Sequence, residues 1–301
     1  MASIFLGYER DELDQQYDLI GRFGDQYDVF CRLFESLSDQ ARAAFPSASL
    51  DIDCGDGLMI DFYPAAEPAA PVVLFLHGGL WRARGRRDFA MAATGLVPHG
   101  ASVAIADGCL PQDVGPEAAV ENARCAILWL RSHARSLGID RERLFLLAHG
   151  LGAIPAAIAL TTDWSLFGEG EEEIVTPVAG LAALSGAFDL EPLRLCFLNA
   201  ALQLDAAMSA TLSPAHLIVS MPRPLPAICL AVGERETDEF HRNMLAFALA
   251  AEAAGCHLKA RTHAGHSHFS LLALLADPSS SITNELIALV QGHELDRAVL
   301  I

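Results

Sequence analysis

The sequence predicts an α/β fold with a mostly parallel central sheet and helices on both faces. Three observations predict it. Short continuous apolar runs recur along the chain, as strands buried on both faces require. Segments with a helical period separate those runs, which is the alternation of a parallel sheet. Glycine-rich turns follow several runs, at the strand ends where such sheets carry their chemistry.

The elements follow in order. Residues 9–45 carry a helical period and many charges and read as helices. Residues 48–53 and 57–63 read as two early strands around a turn at Gly55-Asp56-Gly57. PVVLFLHGG (71–79) is a buried strand ending in glycines. Residues 86–100 read as a helix stopped near Pro98-His99-Gly100, and 102–107 as a strand. Residues 115–138 read as one long amphipathic helix, with Pro near its start and Gly at its end. The run 143–148 is a strand and 151–161 a helix. Residues 178–186 form a strand and 188–218 a helical insertion. Then come a strand at 225–233, a helix at 238–255, a strand at 257–262 and a helical end over 269–292.

Of the 301 residues, 52% are hydrophobic, ample for one large core, so a single domain over 1–301 is expected. Charged residues make up only 19%, too few for a disordered chain or a coiled coil. The net charge of −18 repels phosphate backbones and anionic membranes, so neither nucleic acid nor a membrane is expected as a partner. The seven cysteines are scattered, odd in number and without a C-x-x-C pair. That argues against a disulfide framework and a structural zinc site. The first residues are charged too early for a signal peptide, and no apolar run approaches the roughly 20 residues of a membrane span. The expectation is a soluble, cytoplasmic protein without cofactor or metal, acting on a small molecule, with a homodimer left open.

Four motifs sit at strand ends. The first is 77-HGGLW-81. A His-Gly-Gly turn lets backbone N–H groups face a carbonyl oxygen, as the oxyanion loop of serine hydrolases does. The donors would lie among Gly78, Gly79 and Leu80, with another at Leu151; His77 and Trp81 become candidates for the pocket. The second is 144-LFLLAHGLGAIPAA-157, an apolar strand, a turn of small residues and an alanine-rich helix. This is the build of a nucleophile elbow, Gly-x-Ser-x-Gly. The five positions read Ala148, His149, Gly150, Leu151 and Gly152, so glycine stands at the tip. A tip residue has positive φ, which glycine tolerates freely. His149, beside the tip, is a further candidate for the pocket, with its side chain expected to point away from the direction in which Gly150 points, and Cys109 is another.

The third motif is 232-VGERE-236. In the order nucleophile, acid, histidine, Glu236 takes the acid position, with Glu234 as a competitor and Asp238 read as a helix N-cap. The fourth is 263-HAGHSHF-269, where His268 is expected as the base. His263 and His266 read as partly exposed loop residues; a metal cluster of the three histidines is a weaker alternative. Substitutes for the missing serine are few. Cys109 follows the strand 102–107 and would need an electropositive neighbour or a base to act; a small buried filler is its plainer reading. Ser185 and Ser267 lie near strand ends but off the elbow.

Taken together, these segments resemble α/β-hydrolases of the kynurenine formamidase (arylformamidase) type. HGGLW is similar to that family's HGG-x-W loop and AHGLGA to its GHS-x-G elbow. Residues 185–214, 232–243 and 265–269 resemble its segments from elbow to histidine, and DELDQQYD its start. The resemblance implies an α/β-hydrolase fold in which 1–45 and 188–218 cap the cleft. It puts Glu236 and His268 at the acid and base positions and Gly150 at the nucleophile. The chain departs from the pattern at Gly150, at Ala148 and at Gly108-Cys109. Acyl-enzyme chemistry through serine cannot run on this sequence.

The expected function is therefore acid–base chemistry on a carbonyl compound by a His–Glu dyad and an oxyanion hole, without a covalent step. It would hydrolyse an ester, amide or lactone with water, or run a lyase, cyclase or isomerase step, in a setting such as specialised metabolism. The alternative is a non-catalytic binder or partner protein derived from such a hydrolase. An engineered knockout ranks last, since alanine is the usual choice for that.

Overall fold

The computed structural model describes residues 3–79, 84–108, 115–167, 176–221 and 225–293. Three helices open the chain: α1 (Arg10–Tyr17), α2 (Leu19–Phe23) and α3 (Asp25–Ala44). Then come β1 (Ser49–Asp53), β2 (Met59–Tyr63), β3 (Ala70–Leu76), α4 (Met91–Leu96), β4 (Ser102–Ala106), α5 (Pro116–Ser132), α6 (Ala134–Leu137) and β5 (Ile139–His149). After β5 come α7 (Ala153–Thr161), β6 (Gly180–Leu184) and four short helices. These are α8 (Glu191–Leu195), α9 (Asn199–Leu202), α10 (Ala206–Leu212) and α11 (Pro214–Leu217). The chain continues with β7 (Ala227–Gly233), α12 (Asp238–Ala253), β8 (Leu258–His263), α13 (His268–Ala273) and α14 (Ser281–Val290).

Among the described residues, the strands form one eight-stranded sheet in the order β1-β2-β4-β3-β5-β6-β7-β8. The β1–β2 and β2–β4 pairs are antiparallel, and every pair from β4 to β8 is parallel. Both faces are covered, so successive side chains enter opposite cores. Val72, Leu74 and Leu76 join Leu146, Ile127, Ile154 and Phe247 on one face. Val73 and Phe75 join Leu147, Phe34, Met91 and Ile287 on the other. This explains the apolar runs without alternation: each strand needs two buried faces.

Several expected helices are broken, each for a local reason. The 86–100 segment is a 3-10 turn at Arg86–Phe89, then α4, then a 3-10 turn at Val97–His99 that carries Pro98. The 115–138 helix divides at His133, where the backbone leaves helical geometry. The 269–292 segment is divided by a 3-10 turn at Leu274–Ala276 and by Asp277-Pro278, after which Ser280 caps α14. The strand before the elbow is longer than expected and reaches His149. Asp238 is not the N-cap of α12. Thr237 holds that position, and its hydroxyl donates to the Gln16 carbonyl, tying α12 to α1. No helix among the described residues is long and apolar enough to cross a membrane.

Candidate active site

The parallel strands all point one way, so the turns after β3, β5, β6, β7 and β8 gather at one end of the sheet. The elbow is the tightest of them. β5 ends at His149, a 3-10 turn spans Gly150–Gly152, and α7 starts at Ala153. Gly150 has φ +55°, the left-handed conformation expected at the tip. A Cβ on Gly150 would have as its nearest atoms Cε1 and Nε2 of His268, both at 3.6 Å, and the Gly78 Cα at 4.0 Å. The tip therefore faces the imidazole across a gap that a side chain could fill.

His268 is the first residue of α13 and is buried. Its Nδ1–H donates to Glu236 Oε2 at 2.9 Å. Glu236 lies in the turn after β7, and its side chain is wholly buried. Its other oxygen, Oε1, accepts the Gly233 N–H and the Ser185 hydroxyl, both at 2.6 Å. One carboxylate thus binds three donors, which satisfies a buried charge and fixes its orientation. Glu234, the competitor, is exposed and accepts instead from the Gly265 N–H at 2.7 Å.

The elbow histidine, His149, lines the cavity as a pocket candidate, and its ring centroid is 4.3 Å from that of His268. Its Nε2–H donates to the His268 carbonyl at 3.2 Å. Burial first, and then the neighbouring His268, hold its basicity well below the ordinary histidine value of 6.5. A neutral ring in that position packs against His268 without adding charge. His77, expected in the pocket, is not among the residues that line it; it stacks on Phe89 with centroids 4.8 Å apart, and burial lowers its basicity too.

Gly78, Gly79 and Leu151 all line the cavity beside Gly150. The turn after β3 lies close on the elbow, since a Cβ on Gly78 would fall 2.9 Å from the His149 carbonyl oxygen. Leu80, Trp81 and Cys109, also expected here, lie outside the described residues. The histidine-rich loop is not one cluster. His263 pairs with Glu285 (Nε2 to Oε2, 3.4 Å) and is buried rather than partly exposed, because α14 packs over the end of β8. His266 is half-buried with its Nδ1 3.4 Å from the Ser270 hydroxyl, and His268 faces Glu236. Among the described residues, no group of three His, Cys, Asp or Glu is placed to hold a metal.

Above the glycine turns lies a cavity of about 250 Å³. Part of its wall comes from the opening segment that the resemblance puts over the cleft, through residues the motifs did not single out. Tyr27, Phe30, Cys31 and Phe34 of α3 line it at the i, i+3, i+4, i+7 spacing of one helix face. Phe269, next to the candidate base, packs against Phe23, Tyr27 and Phe30 with centroids 5.0–5.7 Å apart. Phe240 closes on His268 from α12 at 4.8 Å, and Phe197 and Leu198 enter from the insertion. Ser185 was also missed in this role: its hydroxyl serves Glu236, and Ser267 caps α13.

The chain is similar to known proteins of this fold. Residues 60–179 match the BD-FAE family model. Kynurenine formamidase of Danio rerio is 24% identical over 264 residues, covering 85% of this chain and 86% of that protein. The Salmo salar kynurenine formamidase is 25% identical over 249 residues, covering 78% and 79%. Among solved structures, a thioesterase candidate from Silicibacter sp. superposes with a TM-score of 0.76 at 22% identity, covering 93% of this chain and 99% of that one. A Pyrobaculum calidifontis esterase superposes with a TM-score of 0.69 at 18% identity, covering 89% and 92%. The solved structures establish the α/β-hydrolase fold, and the sequence is similar to the two kynurenine formamidases over most of its length.

Proposed function

We propose that the protein is an acid–base enzyme acting on the carbonyl group of an apolar small molecule, without an acyl-enzyme intermediate. The observation that carries this reading is the buried His268–Glu236 pair at 2.9 Å, aimed at a glycine instead of a nucleophile. With its Nδ1–H donating to Glu236, His268 has Nε2 as the ring nitrogen left to accept a proton. A water in the space over Gly150 would give its proton to Nε2 as its oxygen attacks the carbonyl carbon. The N–H groups of the Gly78-Gly79 turn and of Leu151 would hold the oxyanion. Collapse of the tetrahedral species would return the proton from His268 to the leaving group. The same base and donors would serve proton abstraction beside a carbonyl, with the enolate in place of the oxyanion. The aromatic wall of α3 favours ring-bearing substrates.

The test is turnover of a panel of aryl esters, anilides and lactones by the wild-type chain, His268→Ala and Glu236→Gln. The expected result is a fall of about 100-fold or more in His268→Ala, with no covalent adduct by mass spectrometry in the wild type. Equal turnover in His268→Ala across the panel overturns the reading. Saturable binding without turnover in either protein assigns the cavity to a binding protein instead.

A further inference from the structure

We infer that Ser185 is a positioning residue for the candidate acid–base pair, acting through Glu236. This rests on the proposed roles of His268 and Glu236 but is read out independently of turnover. Ser185 is the first residue after β6 and is buried. Its φ is +52°, a left-handed backbone that a side chain other than glycine adopts only at a cost. The sequence continues Ser185-Gly186, so a small residue without strain stands next door, yet the serine occupies the strained position.

The hydroxyl explains what the strain maintains. Ser185 N–H donates to the Ala231 carbonyl at 2.7 Å, which anchors the turn to β7. From that anchor its Oγ–H donates to Glu236 Oε1 at 2.6 Å. Gly233 N–H takes the same oxygen, leaving Oε2 directed at His268. Three neighbouring strand ends thus converge on one carboxylate: β6 through Ser185, β7 through Gly233, and β8 through the loop carrying His268. Ser185 is bound to Glu236 and so does not replace the missing nucleophile.

The hydroxyl also bears on the bond between Glu236 and His268. A donor on Oε1 shares in stabilising the anion and makes Glu236 a weaker partner for a protonated imidazole. Its removal concentrates negative charge on the oxygen facing His268. The His268 ring then takes up its proton at higher pH than in the wild type.

Two variants separate this role from a structural one. Ser185→Ala removes the hydroxyl and keeps a Cβ on the strained backbone. Ser185→Gly removes the hydroxyl and relieves the backbone. Both are followed by the His268 ring-proton resonances in an NMR pH titration and by thermal unfolding. The expected result is an upward move of the His268 titration by about half a pH unit or more in both variants. Ser185→Gly should be at least as heat-stable as Ser185→Ala. Ser185→Thr, which keeps a hydroxyl, should return the titration toward the wild type if it folds. A wild-type titration in Ser185→Gly overturns the inference and leaves Ser185 a turn residue. Because the readout is the titration itself, that failure is distinct from an absence of turnover.

Discussion

His268 Nε2 stands 3.6 Å from the point where a Cβ on Gly150 would sit, so the two residues frame a gap that fits a hydroxyl. A serine hydroxyl extends from Cβ by about one bond and would reach hydrogen-bonding range of that nitrogen. The proposed base and acid, His268 and Glu236, stand beside that gap.

Gly150→Ser is therefore expected to create a serine hydrolase. Aryl-ester hydrolysis should rise by about 100-fold or more over the wild type, and a fluorophosphonate probe should label residue 150. The φ of +55° should cost stability by about 1–3 kcal/mol. Kinetics and intact-protein mass spectrometry check the gain. An unlabelled, inactive but folded variant would mean that the donors or the base are not poised for acyl transfer.

The elbow's other glycines should behave differently. A Cβ on Gly152 would fall 2.1 Å from the Leu76 carbonyl oxygen, and one on Gly78 2.9 Å from that of His149. Both obstacles are backbone, which cannot rotate away. Gly152→Ala should cost about 3 kcal/mol or more or fail to fold, and Gly78→Ala about 1–2 kcal/mol. Urea unfolding measures both.

The buried histidines predict an acid-side loss of stability. His149 and His77 resist protonation in the folded protein because burial penalises the charged ring, while in the unfolded chain both take the ordinary value of 6.5. As the pH falls through 6.5, the unfolded chain binds protons that the folded protein refuses. Stability is then full above that value and declines below it, down to the lowered folded values. His149→Phe should be less stable than the wild type at about pH 7.5, having lost its bond to the His268 carbonyl, yet lose less between about pH 7.5 and 5.5. Denaturant titrations at the two pH values compare the slopes. A slope unchanged from the wild type would show that His149 does not carry this proton linkage.

The sheet and the elbow were legible in the sequence because both depend on short-range patterns. β3 and β5 are apolar runs that end in glycine turns, and the tip must be a residue that accepts positive φ. That Glu236 and His268 come together was legible through chain order, since each follows the strand expected for it. The cavity wall was legible only as a segment, through the resemblance that puts residues 1–45 over the cleft; its residues were not. Tyr27, Phe30 and Phe34 announce a helix face by their spacing, but nothing in the spacing says that the face closes over residues more than a hundred positions away. Ser185 was visible only as a serine near a strand end. Its role comes from the adjacency of β6 and β7, a property of strand order. His149 was expected in the pocket, but its closeness to His268 comes from the packing of α13 over it, which the direction of the backbone alone does not give.

The α3 part of the wall and the proposed chemistry come from separate stretches of chain. The first 45 residues meet the remainder through core packing of Leu13, Tyr17, Phe34 and Ala41 and through hydrogen bonds such as Tyr17 hydroxyl to Glu239, Thr237 hydroxyl to the Gln16 carbonyl, Phe197 N–H to Asp14 and Ser38 hydroxyl to the Asp88 carbonyl. A segment attached this way can diverge, as long as those docking points survive, while the strands carrying the reactive groups stay untouched. Substrate preference and reaction type are then separately evolvable. Grafting the opening helices of a relative onto this sheet would exchange what the protein accepts and leave intact how it acts.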